Sequence, residues 1–224
     1  MQLSRYKNAY ASDASPTAVS MLDMGMRPFA ADSGAGHDHD HDHDHDDDDT
    51  APYPPHGPNP GRTYRFLAKP EFQKFPFGHG LTFGASFVYS SPTISVAHVP
   101  VATVNGVVKA ADAPRTRYIA AALAHVSIEV ANVGSRAAGH SVLLFAAPPN
   151  AGKDGSPINS LVAFERIPSV AAGDKATVTL ALTAWSLALA DTKGVWGGMT
   201  GNWTFSASNG TTGSAVISIP LVVA

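Results

Sequence analysis

The chain of 224 residues contains no cysteine, which excludes a disulfide scaffold and any metal site built on thiolates. No stretch approaches the roughly 18–20 consecutive apolar residues that a membrane helix requires. Charged side chains make up only 15% of the sequence. Outside one aspartate-rich tract the basic excess is small and dispersed, so we expect neither a nucleic acid nor a membrane as a partner.

Glutamate is also scarce, and the chain has only Glu71, Glu129 and Glu165. Acid–base hydrolysis of a glycoside needs two carboxyl groups fixed roughly 5–10 Å apart. Strand alternation predicts that Glu129 points outward, and Glu165 lies beside Arg166 near a strand end, so both are interpreted as surface charges. No Ser-His-Asp grouping or phosphate-binding glycine loop is present, and adjacent His140 and Ser141 indicate the start of a strand. We therefore expect no catalytic residue and no cofactor in this chain.

The first ten residues, MQLSRYKNAY, lack the apolar core of a secretory signal. Two interpretations stay open at this point. Either the chain remains in the cell, or Met1 is not the original start of the gene product.

A histidine–aspartate tract, HDHDHDHDHDDDD, interrupts the N-terminal part of the chain at residues 37–49. The surrounding region, 30–59, has almost no apolar residues and is predicted to be disordered. Alternating imidazoles and carboxylates bind Zn, Cu or Ni loosely, and the candidate ligands are His37, His39, His41, His43 and His45. A specific site needs fixed geometry, so we interpret the tract as a solvated spacer with incidental metal affinity.

The C-terminal two thirds of the chain carries the alternating pattern of half-buried strands, as in HVSIEVANVG and KATVTLALT. We predict seven strands, at residues 87–96, 125–131, 141–147, 160–167, 176–182, 202–207 and 215–222. Turn sequences such as NVGS and SNGTTG separate them, and this spacing favours an antiparallel two-sheet sandwich. The predicted core consists of Val126, Ile128, Val130, Leu143, Phe145, Phe164, Val178, Leu180, Trp203 and Phe205. No stretch has a long apolar helical period, and residues 115–123 form either a short helical turn or the lead into a strand.

An aromatic cluster directly precedes the sandwich. GRTYRFLAKPEFQKFPFGHGLTF, residues 61–83, holds six of the 19 aromatic residues. A free linker would not carry so many apolar side chains, so we expect burial of Phe75, Phe77, Leu81 and Phe83. They pack either under the sandwich or against another domain. Gly78 and Gly80 allow turns that other residues disfavour.

MLDMGMRP, NPGRTYRF and FPFGHGLTF occur in this order in the N-terminal part of the chain. These motifs and their order resemble the end of the α/β sandwich domain of family 3 glycoside hydrolases, particularly the β-xylosidase-like branch. VSIEVANVGSRAAGHSVLLFAAPP and PINSLVAFERIPSVAAGDKATVTLAL resemble the fibronectin type III-like domain that follows. The resemblance covers nearly the whole chain outside residues 30–56. Departures are the histidine–aspartate tract, inserted where the family has a short connection, and Leu67 and Ala68, where the family commonly has Tyr and Thr.

The resemblance implies a division of the chain. Residues 1–29 would be a remnant of the α/β domain, 30–59 a disordered insertion, 60–86 its closing strand and loop, and 87–224 an immunoglobulin-like, fibronectin type III-like β-sandwich. Met1 would then begin inside a domain.

The resemblance also implies a parent enzyme, located outside the cell or in the cell wall, that hydrolyses terminal β-linked sugars of xylan or related polysaccharides with retention. The catalytic aspartate and glutamate of the family lie upstream of the part present here, so this chain would be a non-catalytic accessory portion. A non-enzymatic β-sandwich binding or adhesion module is the alternative.

In such a parent, the aromatic cluster would join the α/β domain to the sandwich. The expected docking residues are Arg62, Tyr64, Arg65, Phe66, Phe75, Phe77, Gly78, Gly80 and Leu81. The two arginines would pair with carboxylates of the upstream domain. In this chain, several of these side chains would be exposed or folded back on the sandwich. NWT at Asn202 and NGT at Asn209 also fit the N-glycosylation pattern, which is a weak signal.

Overall fold

The computed structural model describes residues 5–6, 61–67, 73–81, 83–110, 120–191, 193–208 and 217–224. The predictions for the 1–29 remnant, the histidine–aspartate tract, Glu71, Asn209 and most of 115–123 lie outside these residues. The described strands are β1 (Arg5–Tyr6), β2 (Gln73–Phe75), β3 (Phe87–Ile94), β4 (His98–Val99), β5 (Ala122–Asn132), β6 (Ala138–Ala147), β7 (Ser160–Val170), β8 (Lys175–Thr183), β9 (Ala188–Ala190), β10 (Trp196–Gly198), β11 (Gly201–Ser208) and β12 (Ile217–Val223). The helices are Thr63–Phe66, Val101–Ala110 and the 3-10 helix Ala184–Leu187.

Two open sheets form the body of the molecule and confirm the predicted mainly β sandwich. One sheet has the order β3-β5-β8, and the other has the order β4-β12-β11-β6-β7. All pairings in them are antiparallel except that of β4 with β12. All seven predicted strands are present, with ends shifted by a few residues. Short pairs β1–β2 and β9–β10 lie outside the two main sheets.

The edge position of β3 follows from its sequence. Pro92 lacks an N–H and is tolerated at a sheet edge, where no further strand needs that donor. The register with β5 shifts between Ser90 and Thr93, and Ser91 has φ of 50°. The bulge places one extra residue in β3 beside the proline, and pairing with β5 resumes at Thr93, opposite Ser127.

The core closes between the sheets as strand alternation requires. Val126, Ile128 and Val130 of β5 are fully buried, as are Trp203 and Phe205 of β11 within a few per cent. Two predicted core residues are not buried, and a third, Phe145, is buried on the outer face of β6 rather than between the sheets. Phe164 is 69% exposed, and Leu143 is only half-buried.

The errors at Leu143 and Phe164 have one cause, which is the face of the sheet to which these paired residues point. The core face of β6 carries Val142, Leu144 and Ala146, all buried, so Leu143 points to the opposite face. Leu143 pairs with Phe164 across the ladder, and directly paired residues share a face. Because VLLF is apolar at four consecutive positions, alternation does not show which pair faces inward.

The helix Val101–Ala110 was not predicted from the sequence, because its valines, Thr103 and Gly106 are poor helix formers. Tertiary contacts form it instead. Val104 and Val108, one turn apart, are buried in the core. Asn105 Oδ1 accepts a hydrogen bond of 2.9 Å from the Gly198 N–H. A Cβ at Gly198 would lie 2.9 Å from Val104 Cγ1, so glycine permits this close packing.

Asn132, the last residue of β5, is fully buried and satisfies its side chain completely. Its amide nitrogen donates to the carbonyls of Arg136 at 2.8 Å and Val170 at 3.0 Å. Its Oδ1 accepts from the backbone N–H of Gly134 at 3.0 Å and of Ser86 at 3.3 Å. One side chain therefore ties together the start of β3, the β5–β6 turn and the end of β7.

None of the helices in the described part of the chain is long and apolar enough to cross a membrane.

Candidate docking surface and groove

The segment 61–67 contains a single helical turn, and the close approach of the chain at its first residue requires glycine. Gly61 has φ of 87°, and a Cβ there would lie 2.3 Å from the Phe66 carbonyl oxygen. The Leu67 N–H donates to the Thr63 carbonyl at 3.0 Å and closes the turn. Phe66 and Leu67 are each only 5% exposed. The turn is therefore packed against the sandwich rather than free in solvent.

Three aromatic rings, which we call the ring cluster, join this segment to the outer face of β6. Tyr64 stacks on Phe77, with ring centroids 4.3 Å apart, and meets the edge of Phe145 at 5.7 Å. Phe77 also contacts Phe145 edge to face at 6.2 Å. Phe145 lies between core residues of β6 in the sequence, so its side chain points to the outer face of the sheet. Tyr64 and Phe77 cover it there. Its burial depends on the segment that precedes the sandwich in sequence.

Polar contacts fix the same segment to β7. The Ile158 N–H donates to the Arg65 carbonyl at 2.6 Å, and the Leu161 N–H donates to the Tyr64 hydroxyl at 3.4 Å. The Arg65 guanidinium lies 5.4 Å from the centroid of the Phe66 ring. Arg62 precedes the helical turn in an extended conformation and is half-buried.

The FPFGHG sequence forms a tight turn in which the His79 N–H donates to the Pro76 carbonyl at 3.1 Å. Gly78, at the third position, has φ of 89°, which is the requirement of a type II turn. The conformational argument holds at Gly78 and not at Gly80, where a Cβ would meet open space. Phe75 is 39% exposed and stacks on the His79 ring at 4.9 Å.

Leu81 and Phe83, which we call the exposed pair, are 81% and 80% exposed. Gly84 follows directly and is held by the sandwich, because its carbonyl accepts from the N–H groups of Ser135 at 2.8 Å and Arg136 at 3.3 Å. The exposed pair therefore sits on a segment that is anchored immediately after it.

A groove of about 650 Å³ runs between β7 and β8. Trp185 and Trp196 line it, and their rings meet edge to face, with centroids 5.6 Å apart and planes inclined at 69°. Tyr64 and Arg65 contribute a wall from the preceding segment. Sequence reasoning did not find this groove, because its tryptophans come from the 3-10 helix and β10, two elements that alternation does not reveal.

His140, interpreted as a strand start, lies inside β6 and is 7% exposed. Its ring stacks on Phe87 at 4.0 Å, and a hydrogen bond of 2.7 Å joins its Nε2 to the Tyr89 hydroxyl. Burial, with a further contribution from the Arg166 charge, lowers the pKa of His140 to about 4. Burial raises the pKa of Tyr89. The pair is a neutral hydrogen-bonded contact near the core.

The two described glutamates lie on different sheets, and each carboxylate accepts a hydrogen bond from a neighbouring residue. Glu129, on β5, accepts hydrogen bonds from the Lys175 ammonium at 2.9 Å and the Ser90 hydroxyl at 2.9 Å, and these bonds hold its pKa below the usual range. Glu165 is exposed on β7 of the other sheet. No group of three or more His, Cys, Asp or Glu suited to a metal ion exists among the described residues.

Comparison with known proteins identifies the sandwich and its relatives. Residues 140–210 match the fibronectin type III-like domain family. Beta-D-xylosidase 1 of Arabidopsis thaliana is 33% identical over 143 residues, which cover 57% of this chain and 17% of that protein. The probable exo-1,4-beta-xylosidase bxlB of Aspergillus clavatus is 29% identical over 133 residues, covering 59% of this chain and 16% of that protein.

A solved structure has the same fold. The GH3 exo-beta-xylosidase XlnD, in complex with a xylobiose aziridine activity-based probe, superposes with a TM-score of 0.63 and 19% identity, covering 99% of this chain and 24% of that one. The chain spans less than a fifth of the length of the curated relatives it matches. It carries a fibronectin type III-like domain and is similar to the C-terminal part of GH3 xylosidase-like proteins, which confirms the resemblance predicted from its motifs.

Proposed function

We propose that this chain is the C-terminal accessory portion of a family 3 glycosidase of the β-xylosidase type. In this proposal the chain is not catalytic, and the parent enzyme hydrolyses terminal β-linked sugars of xylan or related polysaccharides, outside the cell or in the cell wall. Retaining hydrolysis proceeds through a covalent glycosyl-enzyme and needs two carboxyl groups close together. The two described glutamates lie on different sheets, and Glu129 is engaged by Lys175.

The contribution of the chain would be to hold an upstream domain in a fixed position. The carrying observation is that the segment 61–84 is anchored to the sandwich at both ends while its exposed pair faces solvent. The ring cluster and the bond between Ile158 and Arg65 anchor one end, and the bonds to the Gly84 carbonyl anchor the other. Leu81 and Phe83 are thereby presented in a defined place.

Burial of the exposed pair by a neighbouring domain would be favourable. A large apolar side chain that becomes fully buried contributes about 1.5–3 kcal/mol. The hydrogen bonds to the Gly84 carbonyl, directly after the pair, would reduce the conformational freedom lost when a neighbouring domain covers these side chains. Interfaces between domains of one chain commonly bury roughly 600–1,500 Å², so the exposed pair would supply only part of such an interface.

A chimera tests the proposal. Beta-D-xylosidase 1 of Arabidopsis thaliana is truncated before the region that matches this chain, and the full 224-residue chain is fused to it. We expect aryl β-xyloside hydrolysis to be recovered well above that of the truncated protein. A folded chimera that hydrolyses no faster than the truncated protein contradicts the accessory role.

Surface variants of the chimera test the docking role separately. Leu81→Ser and Phe83→Ser together should lower the melting temperature and activity of the chimera. Val195→Ser is the matched control, since Val195 is 58% exposed and lies in the β9–β10 turn. Equal losses from both sets would show that the exposed pair has no special part in docking. Turnover of aryl β-xyloside by the 224-residue chain alone would show that the chemistry is wrongly placed.

A further inference from the structure

We infer that the groove between β7 and β8 is a binding site for a neutral β-linked oligosaccharide. The groove has a volume of about 650 Å³, within the roughly 300–1,000 Å³ typical of small-molecule sites. It is a different surface from the exposed pair, so its role does not follow from docking. The choice of β-linked sugars rests on the proposed function.

The aromatic side chains of the groove suit a sugar ring. Trp185 and Trp196 are both half-buried, and their edge-to-face contact restricts the orientation of the two rings. A tryptophan offers a large, rigid apolar face at low cost in side-chain entropy. The C–H faces of a pyranose pack on such a surface, while its hydroxyl groups point to the rim.

The polar lining supplies partners for those hydroxyl groups. Thr179 and Thr183 line the β8 side, where the Thr179 hydroxyl also shares a hydrogen bond of 3.0 Å with Ser127, and Ser160 lines the β7 side. The Ser160 hydroxyl oxygen is buried and has no hydrogen-bond partner among the described residues. An unsatisfied hydroxyl is costly in a protein interior. Rotation about its Cα–Cβ bond toward the groove would let it bond to a ligand.

The described lining of the groove has no net formal charge and therefore gives no preference for an ionic ligand. Among the described residues that line it, the charged side chains are Arg65 and Glu165, one of each sign. An anion would be attracted by Arg65 but repelled by Glu165, and the reverse holds for a cation. A neutral ligand with many hydroxyl groups satisfies both side chains without a net charge to balance.

The test measures binding of xylohexaose and cellohexaose to the full 224-residue chain by calorimetry. We expect saturable binding with a dissociation constant at or below the millimolar range for at least one of them. Trp196→Ala should weaken it at least tenfold, and Ser160→Ala should weaken it severalfold without unfolding the chain. Phe83→Ala is the matched aromatic control outside the groove and should leave the affinity unchanged.

A second measurement on the unaltered chain avoids any misfolded variant. Bound oligosaccharide should slow the oxidation of Trp185 and Trp196 by N-bromosuccinimide. Trp203 also borders the groove but is only 2% exposed, so it should react slowly with or without the ligand. Absence of both saturable binding and protection overturns the inference. Equal loss of affinity in the Phe83 variant does so as well.

The outcome separates this inference from the proposed function. An active chimera together with no saccharide binding removes the groove site and leaves the accessory role. Saccharide binding together with an inactive, folded chimera supports the groove site and removes the accessory role.

Discussion

The sandwich and the segment 61–83 both contain many apolar residues, but the two regions differ in how completely those side chains are buried. In the sandwich, Ile128 and Phe205 are fully excluded from solvent, because two amphipathic sheets close on each other. The described residues of the segment 61–83 pack on the outer face of β6 and β7 and pair with β1 through β2, outside the two main sheets. Its rings cover Phe145, and its exposed pair remains uncovered. Apolar content therefore shows that a segment needs a partner but not which partner it has.

The largest effect should come from breaking the sandwich at Asn132. Asn132→Ala removes four hydrogen bonds and leaves the backbone groups of Ser86, Gly134 and Val170 without this partner. We expect the free energy of unfolding to fall by about 2–4 kcal/mol, since each buried polar group left unsatisfied costs about 1–3 kcal/mol and part of the loss relaxes. Urea denaturation of the full chain measures it.

Asn202→Ala is the matched control for that experiment. Asn202 is exposed on β11, and surface substitutions usually change stability by less than about 0.5 kcal/mol. Similar losses in the two variants would mean that the buried amide network does not hold the turns together. The same control removes the NWT acceptor pattern without touching the core.

A smaller effect should come from pH, through His140. Its pKa is about 4 in the folded chain and about 6.5 when unfolded. Above pH 6.5 both states are neutral, so His140 adds no pH dependence there. As the pH falls from 6.5 to 4, the unfolded state takes up the proton first, and stability declines. Below pH 4 this contribution is constant.

We expect His140 to account for a loss of about 1–2 kcal/mol over that window, reduced from the full shift for solvent screening. His140→Phe should flatten the dependence of stability on pH between 6.5 and 4, measured as urea midpoints. His125→Gln, on the exposed side of β5, should retain the slope of the parent chain. A slope that survives in the His140 variant would assign the acid sensitivity to other groups.

The sequence predicted the sandwich well because strand alternation is a local signal. Val126, Ile128 and Val130 alternate with polar or small residues, so their burial follows from the pattern. The same rule is ambiguous where both faces are apolar, and for that reason it misplaced Leu143 and Phe164. The structure resolves the ambiguity through the ring cluster, which covers one side chain of the outer face, Phe145.

Features that depend on distant residues were not predictable. The helix Val101–Ala110 is stabilised because Val104 and Val108 pack in the core and Asn105 accepts a hydrogen bond from Gly198. The groove assembles Trp185, Trp196 and the segment around Tyr64 from three separate parts of the chain. The family motifs did identify the segment 61–83 as significant, but its contacts with the sandwich required coordinates.

A still smaller effect is expected from breaking the ring cluster. Phe77→Ala removes the stack on Tyr64 and uncovers part of Phe145. Aromatic pairs contribute about 0.5–1.5 kcal/mol beyond area burial, and Phe77 is already half-exposed. We expect the free energy of unfolding of the full chain to fall by about 1 kcal/mol, with a cooperative urea transition retained. A loss as large as that of Phe205→Ala would place Phe77 in the sandwich core and contradict the distinction between the two regions.

The exposed pair should have the smallest effect on stability. Leu81→Ser combined with Phe83→Ser removes side chains that are about four fifths exposed. The free energy of unfolding of the 224-residue chain, measured in urea, should therefore stay within about 0.5 kcal/mol of the parent. Binding of a hydrophobic dye should decrease in the same variant, because an uncovered apolar surface is what such dyes detect. Val195→Ser, which alters one isolated exposed side chain, should leave dye binding nearly unchanged. Destabilisation by the double substitution would mean that Leu81 and Phe83 pack within this chain in solution, and the surface proposed for an upstream domain would already be in use.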